Sequence, residues 1–121
     1  MQHILTIDDE PQIRDILKQV LTASGYRVTD VESAPAALAV VRDDPPDLII
    51  TDLQLEESDG FDLIEQAKQL APSTPIMLLT GVLFDPAVVQ RLGEVKIAAY
   101  VDKTASLDHI VKEVRQLLPK R

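Results

Sequence analysis

The chain contains no cysteine in 121 residues, which excludes disulfide frameworks, thiolate metal sites and cysteine nucleophiles and leaves stability to packing alone. It has no apolar stretch approaching the roughly 20 residues of a membrane span, and the run that follows Met1-Gln2-His3-Ile4 is too short for the core of a signal peptide. A soluble, cytoplasmic protein without a membrane partner is expected. No internal repeat, low-complexity tract or Gly/Ser linker interrupts the chain, and a hydrophobic content of 45% suffices for one core, so residues 1–121 are expected to form one domain. Positive charge is scarce. Twelve Lys and Arg stand against 20 Asp and Glu, a formal net charge of -8 that would repel a phosphate backbone and argues against direct nucleic-acid binding.

What is present is a strict alternation of short apolar runs and amphipathic stretches. The strand candidates are His3 to Ile7, Arg27 to Val31, Leu48 to Thr51, Ile76 to Leu79 and Ala98 to Val101, mostly of the kind covered on both faces in a parallel sheet. Ile13, Ile16, Leu17, Val20 and Leu21 recur at helical spacing and stop at Gly25, which suits the residue after a helix C-cap. Leu107, Ile110, Val111, Val114, Leu117 and Leu118 repeat that stripe behind Ser106 as N-cap, with Asp108 in the first turn where the helix dipole favours an acid. Three further helices are expected over Ala34 to Arg42, over Gly60 to Ala71 behind an Asp59 cap, and over Asp85 to Leu92 with Val88, Val89 and Leu92 inward.

Parallel strands need crossover connections, so this order in so short a chain implies an α/β doubly wound sheet rather than a barrel of eight units. In such sheets the functional crevice lies beyond the carboxyl ends of the strands. There stand Asp8-Asp9-Glu10 after the first strand, Thr51-Asp52 after the third, Leu79-Thr80-Gly81 after the fourth and Val101-Asp102-Lys103 after the fifth. If those strands are neighbours, Asp8, Asp9 and Asp52 converge, and three close carboxylates do not all stay ionised without a cation. Oxygen-only ligation suits a hard ion, Mg²⁺ with Mn²⁺ as a substitute. Lys103 adds a point positive charge and Thr80 a hydroxyl donor. Metal, carboxylate, cation and hydroxyl together are equipment for phosphoryl transfer, whose catalysis is largely positioning and charge stabilisation. Glu56 and Glu57 lie further along the loop after Asp52 and are taken as rim, and His3 and His109 as structural or exposed.

Ile7-Asp8-Asp9-Glu10, Leu48-Ile49-Ile50-Thr51-Asp52-Leu53, Asp59-Gly60, Leu78-Leu79-Thr80-Gly81 and Tyr100-Val101-Asp102-Lys103 resemble the signature of response-regulator receiver domains of two-component signal transduction, along essentially the whole chain. The resemblance implies a flavodoxin-like (βα)5 three-layer sandwich, its five-stranded parallel sheet in the order 2-1-3-4-5. It implies that Asp52 takes a phosphoryl group from the phosphohistidine of a sensor kinase or phosphotransfer protein, with Lys103 and Thr80 assisting. Asp9 and Asp52 would bind Mg²⁺ directly, Asp8 through water, and Gln54 by its backbone carbonyl. Thr80 and Tyr100 would act as switch residues that reshape the face of helix four, strand five and helix five. That face would address an output domain or downstream protein, or a second copy of the chain. Such a protein is not an enzyme, since it catalyses only its own phosphorylation and dephosphorylation.

Two departures stand out. Thr104 follows Lys103 where family members usually carry proline, often through a cis peptide, and a cis bond before a non-proline residue costs about 3 to 4 kcal/mol. Glu56 and Glu57 replace the family's proline and glycine after the acceptor. Taken singly, Asp8 and Asp9 before Pro11 read as a helix cap, Asp52 as a turn residue, Thr80 as a strand end, Lys103 as a surface lysine and Tyr100 as a half-buried strand residue. Only their convergence speaks for a site. Three alternatives compete: a pseudo-receiver that works without phosphorylation, an Mg²⁺-dependent phosphohydrolase of the haloacid-dehalogenase type, and flavin or nucleotide binding. The phosphohydrolase lacks its general acid, because Gln54 stands two residues after Asp52, and the Asp-Asp-Glu-Pro loop repels the phosphate that a flavin site must cradle. The end at Leu118-Pro119-Lys120-Arg121 fits a stand-alone regulator or a piece of a longer protein.

Overall fold

The computed structural model describes residues 1–55, 58–81, 86–93 and 95–119. Their order is β1 (His3–Ile7), α1 (Pro11–Ala23), β2 (Arg27–Val31), α2 (Ala34–Asp43), β3 (Leu48–Thr51), β4 (Gln54–Leu55), β5 (Ser58–Asp59), α3 (Gly60–Leu70), β6 (Ile76–Thr80), α4 (Pro86–Leu92), β7 (Ala99–Asp102) and α5 (Leu107–Leu117). Five strands form one parallel sheet in the order β2-β1-β3-β6-β7, the 2-1-3-4-5 order expected of a doubly wound fold. The remaining two, β4 and β5, are a short antiparallel pair that the sequence reading did not foresee.

The sheet is covered on both faces because alternate residues of each central strand point opposite ways. Leu5, Ile7, Ile49, Ile76 and Leu78 pack with Ala37 and Val41 of α2 and Leu63, Ile64 and Ala67 of α3. Ile4, Leu48, Ile50, Met77 and Leu79 pack with Leu17 and Leu21 of α1 and Ile110 and Val114 of α5. All residues of β1, β3 and β6 are buried, as apolar runs in the middle of a parallel sheet should be. The two edge strands depart from that expectation. No position of β2 is fully buried, and in β7 Tyr100 points outward.

Helix ends follow local chemistry. Gly25 has φ +99°, and the pair of bonds from Tyr26 N to Leu21 O and Gly25 N to Thr22 O closes α1 as a Schellman motif. Ser106 caps α5 by accepting from His109 N, and Ser33, unforeseen, caps α2 by accepting from Ala36 N. Gly60 is required by close approach. It donates its N–H to Leu53 O, and a Cβ there would lie 2.5 Å from that oxygen.

Several boundaries shift by one residue: β6 runs on to Thr80, β7 begins at Ala99 and ends at Asp102, α2 runs on to Asp43, and α3 ends at Leu70. Two residues of the expected inward stripes face outward. Ile16 on α1 and Leu107 at the start of α5 are each 42% exposed. Glu56, Glu57 and Asp85, and the side chains of Asp59, Val88, Val89 and Leu92, lie outside the described residues, so their expected roles are not addressed.

Candidate functional site

Register places the site. Ile7 pairs with Thr51 across β1 and β3, and Thr80 with Asp102 across β6 and β7, so the residues that follow β1, β3 and β7 emerge at one edge of the sheet. The ladder continues past the strand ends: Asp8 N donates to Val31 O at 3.2 Å, Asp52 N to Ile7 O at 3.3 Å, and Lys103 N to Thr80 O at 3.2 Å. The side chains of Asp8, Asp52 and Lys103 are therefore set by backbone bonds to neighbouring strands rather than by loop conformation.

Asp8, Asp9, Glu10 and Asp52 each bring one carboxylate oxygen to within 4.8 Å of the others, with Asp8 and Asp52 buried. Lys103 enters this group from the other side. Its Nζ lies 2.6 Å from Asp52 Oδ2, 2.7 Å from Glu10 Oε1 and 3.0 Å from Asp8 Oδ2. Burial pushes the Asp8 carboxyl up from its ordinary value, against the backbone N–H of Glu10 and the ammonium of Lys103, which pull it down. Desolvation works against the Lys103 ammonium, yet the hydrogen bonds to Asp52, Glu10 and Asp8 outweigh it and hold its pKa above the ordinary lysine value. Four acids around one lysine leave an excess of negative charge in a partly dry crevice. That imbalance, with an oxygen-only donor set, fits a hard divalent cation.

Of the expected residues, Asp8, Asp9, Asp52 and Lys103 come together. Thr80 is fully buried at the end of β6 and its Oγ1 has no hydrogen-bond partner among the described residues, an orphan that in a native core calls for an explanation. Tyr100, expected to turn inward only on phosphorylation, is 47% exposed on β7. Gln54 belongs to β4, two residues beyond Asp52. His3 lies at the opposite end of β1, buried, with Nε2 2.7 Å from Thr29 Oγ1, and His109 is exposed on α5; neither approaches the acids.

Helix capping does not account for the acids. Glu10 occupies the N-cap of α1 without a side-chain cap bond, Pro11 opens the helix, and Asp8 Oδ1 instead accepts from Glu10 N at 2.9 Å. Two contributors were missed. Glu10 joins the cluster although only the aspartates before it were assigned, and the Arg14 guanidinium donates to Asp8 O at 2.7 Å. Glu10 was visible as the third acid of the run; the reach of Arg14 back over the first turn of α1 was not. The Lys103-Thr104 peptide is trans, as are all described peptides. Thr104 donates both its N–H, at 2.8 Å, and its Oγ1 hydroxyl, at 2.6 Å, to Asp102 Oδ1, a turn that proline could not make because it has no N–H.

A doubly wound sheet with acids and a lysine at its carboxyl edge defines a class of α/β proteins whose functional crevice lies at that edge. Comparison narrows it: the family described as "Response regulator receiver domain" matches residues 4–115, and the chain belongs to that family, a set of signalling modules of two-component systems. It is 32% identical over 119 residues to the response regulator receiver protein CpdR of Brucella abortus, covering 98% of both chains. It is 32% identical over 120 residues to the transcriptional regulatory protein GlrR of Escherichia coli, covering 97% of this chain but 27% of that protein. Among solved structures, the receiver domain of HemR from Leptospira biflexa superposes with a TM-score of 0.90 at 24% identity over 100% of this chain and 97% of that one, a likeness of fold. The response regulator TrrA of Thermotoga maritima, solved in complex with Mg²⁺ and beryllofluoride, superposes with a TM-score of 0.85 at 28% identity over 98% of this chain and 100% of that one. Among the described residues no helix is long and apolar enough to cross a membrane.

Proposed function

We propose that the chain is a phosphorylatable switch in which Asp52 is the acceptor. The observation that carries this reading is the meeting of Asp8, Asp9, Glu10 and Asp52 within 4.8 Å, with the Lys103 ammonium bonded to Asp8, Glu10 and Asp52. The donor is a phosphohistidine on a sensor kinase or phosphotransfer protein. An oxygen of Asp52 forms the new P–O bond, the P–N bond breaks, and the departing imidazole keeps the electron pair and takes up a proton. Asp9 and Asp52 would hold Mg²⁺, or Mn²⁺ in its place, Asp8 would reach it through water, and the Gln54 carbonyl would complete the protein's ligands. The ion, when bound, neutralises charge on the transferring group. Lys103 turns to a phosphoryl oxygen, and the orphaned Thr80 hydroxyl donates to another. Ile16 and Leu107, the two outward members of otherwise inward stripes, flank a cleft with Ile13 and Ala105 that ends at Lys103 and gives the donor protein an apolar footing beside the acceptor.

The signal leaves through α4, β7 and α5. Thr80 is drawn toward the phosphoryl group, Tyr100 turns from its exposed position inward, and the reshaped face addresses an output domain, a downstream protein or a second copy of the chain. The chain then works in the cytoplasm, catalysing only its own phosphorylation and dephosphorylation. The test is mass spectrometry after incubation with acetyl phosphate and Mg²⁺. One phosphoryl group is expected on the unmutated chain and none on Asp52→Asn. No addition to the unmutated chain would leave a module that works by contact alone.

A further inference from the structure

Glu10 shares the acidic group but has no part in the reaction described above. It reaches across 93 positions of sequence to accept a hydrogen bond from Lys103 at 2.7 Å, while leaving the N-cap of α1 without a side-chain bond. Lys103 is thereby divided among two buried acids, Asp8 and Asp52, and one acid that is 59% exposed. We propose that Glu10 is a positioning residue that tethers Lys103 at the rim of the site before phosphorylation and so lowers the readiness of Asp52 to carry a phosphoryl group. The inference rests on Asp52 being the acceptor.

The argument is one of competition. The ammonium has three donors, all engaged by carboxylates in this state. A phosphoryl oxygen can gain Lys103 only as one of these lets go. Glu10 is the partner most open to water, so its bond is the one most readily exchanged. Once a dianionic group sits on Asp52, the Glu10 carboxylate also faces it as a like charge. Both effects have the same sign. Removing the Glu10 charge favours the phosphoryl-bearing form, and the worth of a partly exposed ion pair sets the size at about two- to fivefold.

The experiment is a beryllofluoride titration of the unmutated protein, Glu10→Gln and Glu65→Gln, with Mg²⁺ raised until further addition changes nothing, followed by fluorescence or NMR. Beryllofluoride occupies the position of a phosphoryl group without covalent chemistry, so the reading is an equilibrium. Glu65 is exposed on α3 and controls for the loss of one negative charge. Glu10→Gln is expected to bind about two- to fivefold more tightly and Glu65→Gln as the unmutated protein does. Unchanged or weaker binding by Glu10→Gln, or equal tightening in both variants, overturns the tether. Absence of beryllofluoride binding by the unmutated protein overturns both the tether and the acceptor reading; normal binding without a Glu10 effect overturns the tether alone.

Discussion

Lys103→Met tests the electrostatic account of the site directly, because methionine keeps an unbranched apolar stem and removes the ammonium. The lost charge sits at 2.6, 2.7 and 3.0 Å from three carboxylates, two of them buried. Truncating one partner of a buried ion pair costs about 3–5 kcal/mol, chiefly through the charge left behind. Two features reduce that figure here. The Lys103 side chain is 15% exposed, and Asp8, already raised by burial, can relieve the excess charge by taking up a proton. A loss of about 2–4 kcal/mol follows for the metal-free protein at neutral pH. Mg²⁺ should reverse part of it. A site with four acids and no lysine binds a divalent cation more tightly, and an ion at 100 times its dissociation constant stabilises by about 2.7 kcal/mol. Urea unfolding of both proteins, in a chelator and in Mg²⁺, gives four stabilities. A variant within about 0.5 kcal/mol of the unmutated protein in chelator, or a deficit equal in the two conditions, would refute the view that Lys103 stands in for a cation.

Two further outcomes follow from the neighbouring groups. Thr80→Val replaces the buried, partnerless hydroxyl by a methyl of the same shape, so stability should stay within about 1 kcal/mol of the unmutated protein or rise, while beryllofluoride binding weakens; a larger loss in urea unfolding would mean that the hydroxyl has a structural partner. Thr104→Val removes the hydroxyl that, with the Thr104 N–H, holds the Asp102 carboxyl below its ordinary value. A depressed folded-state pKa contributes stability above the unfolded value of 3.8 that is lost as pH falls through the folded value, so the variant's Asp102 should titrate higher by NMR and its stability should begin to fall at a higher pH. An unmoved Asp102 titration would count against the turn.

The fold and most of the site could be read from the chain because they depend on patterns that local physics writes into sequence. Three fully buried strands, β1, β3 and β6, are apolar at most positions, and their carboxyl ends carry Asp8, Asp52 and Thr80. The edge strands were placed but their environment was misjudged, since β2 and β7 are covered less than a run of β-type residues implies. Ile16 and Leu107 satisfied helical periodicity and still face outward, because a stripe on a helix does not say how far the neighbouring element extends over it. The pair β4–β5 was too short to leave a period. Glu10 and Arg14 escaped for another reason: a salt bridge across 93 positions and a guanidinium turned back onto a carbonyl are properties of the folded arrangement alone.

The same ladder that builds the site also limits how it can respond. Lys103 N bonds Thr80 O, Thr80 pairs with Asp102, and Leu78 pairs with Tyr100, so the lysine, the orphaned hydroxyl and the exposed tyrosine belong to one pair of adjacent strands. Lys103 also reaches the acids after β1 and β3 through its side chain. A change of charge at Asp52 would on the proposed mechanism act on β7 by two routes, through the Lys103 side chain and through Thr80 at the end of β6. Packed strands with buried apolar neighbours deform little, so a shift at Thr80 is more readily absorbed where β7 is open to solvent, at Tyr100. Thr104 enters at the end of this path. Its two bonds to Asp102 brace the turn after β7 with a trans peptide, and the turn is thus stiffened by side-chain bonding where relatives with proline stiffen it by their ring.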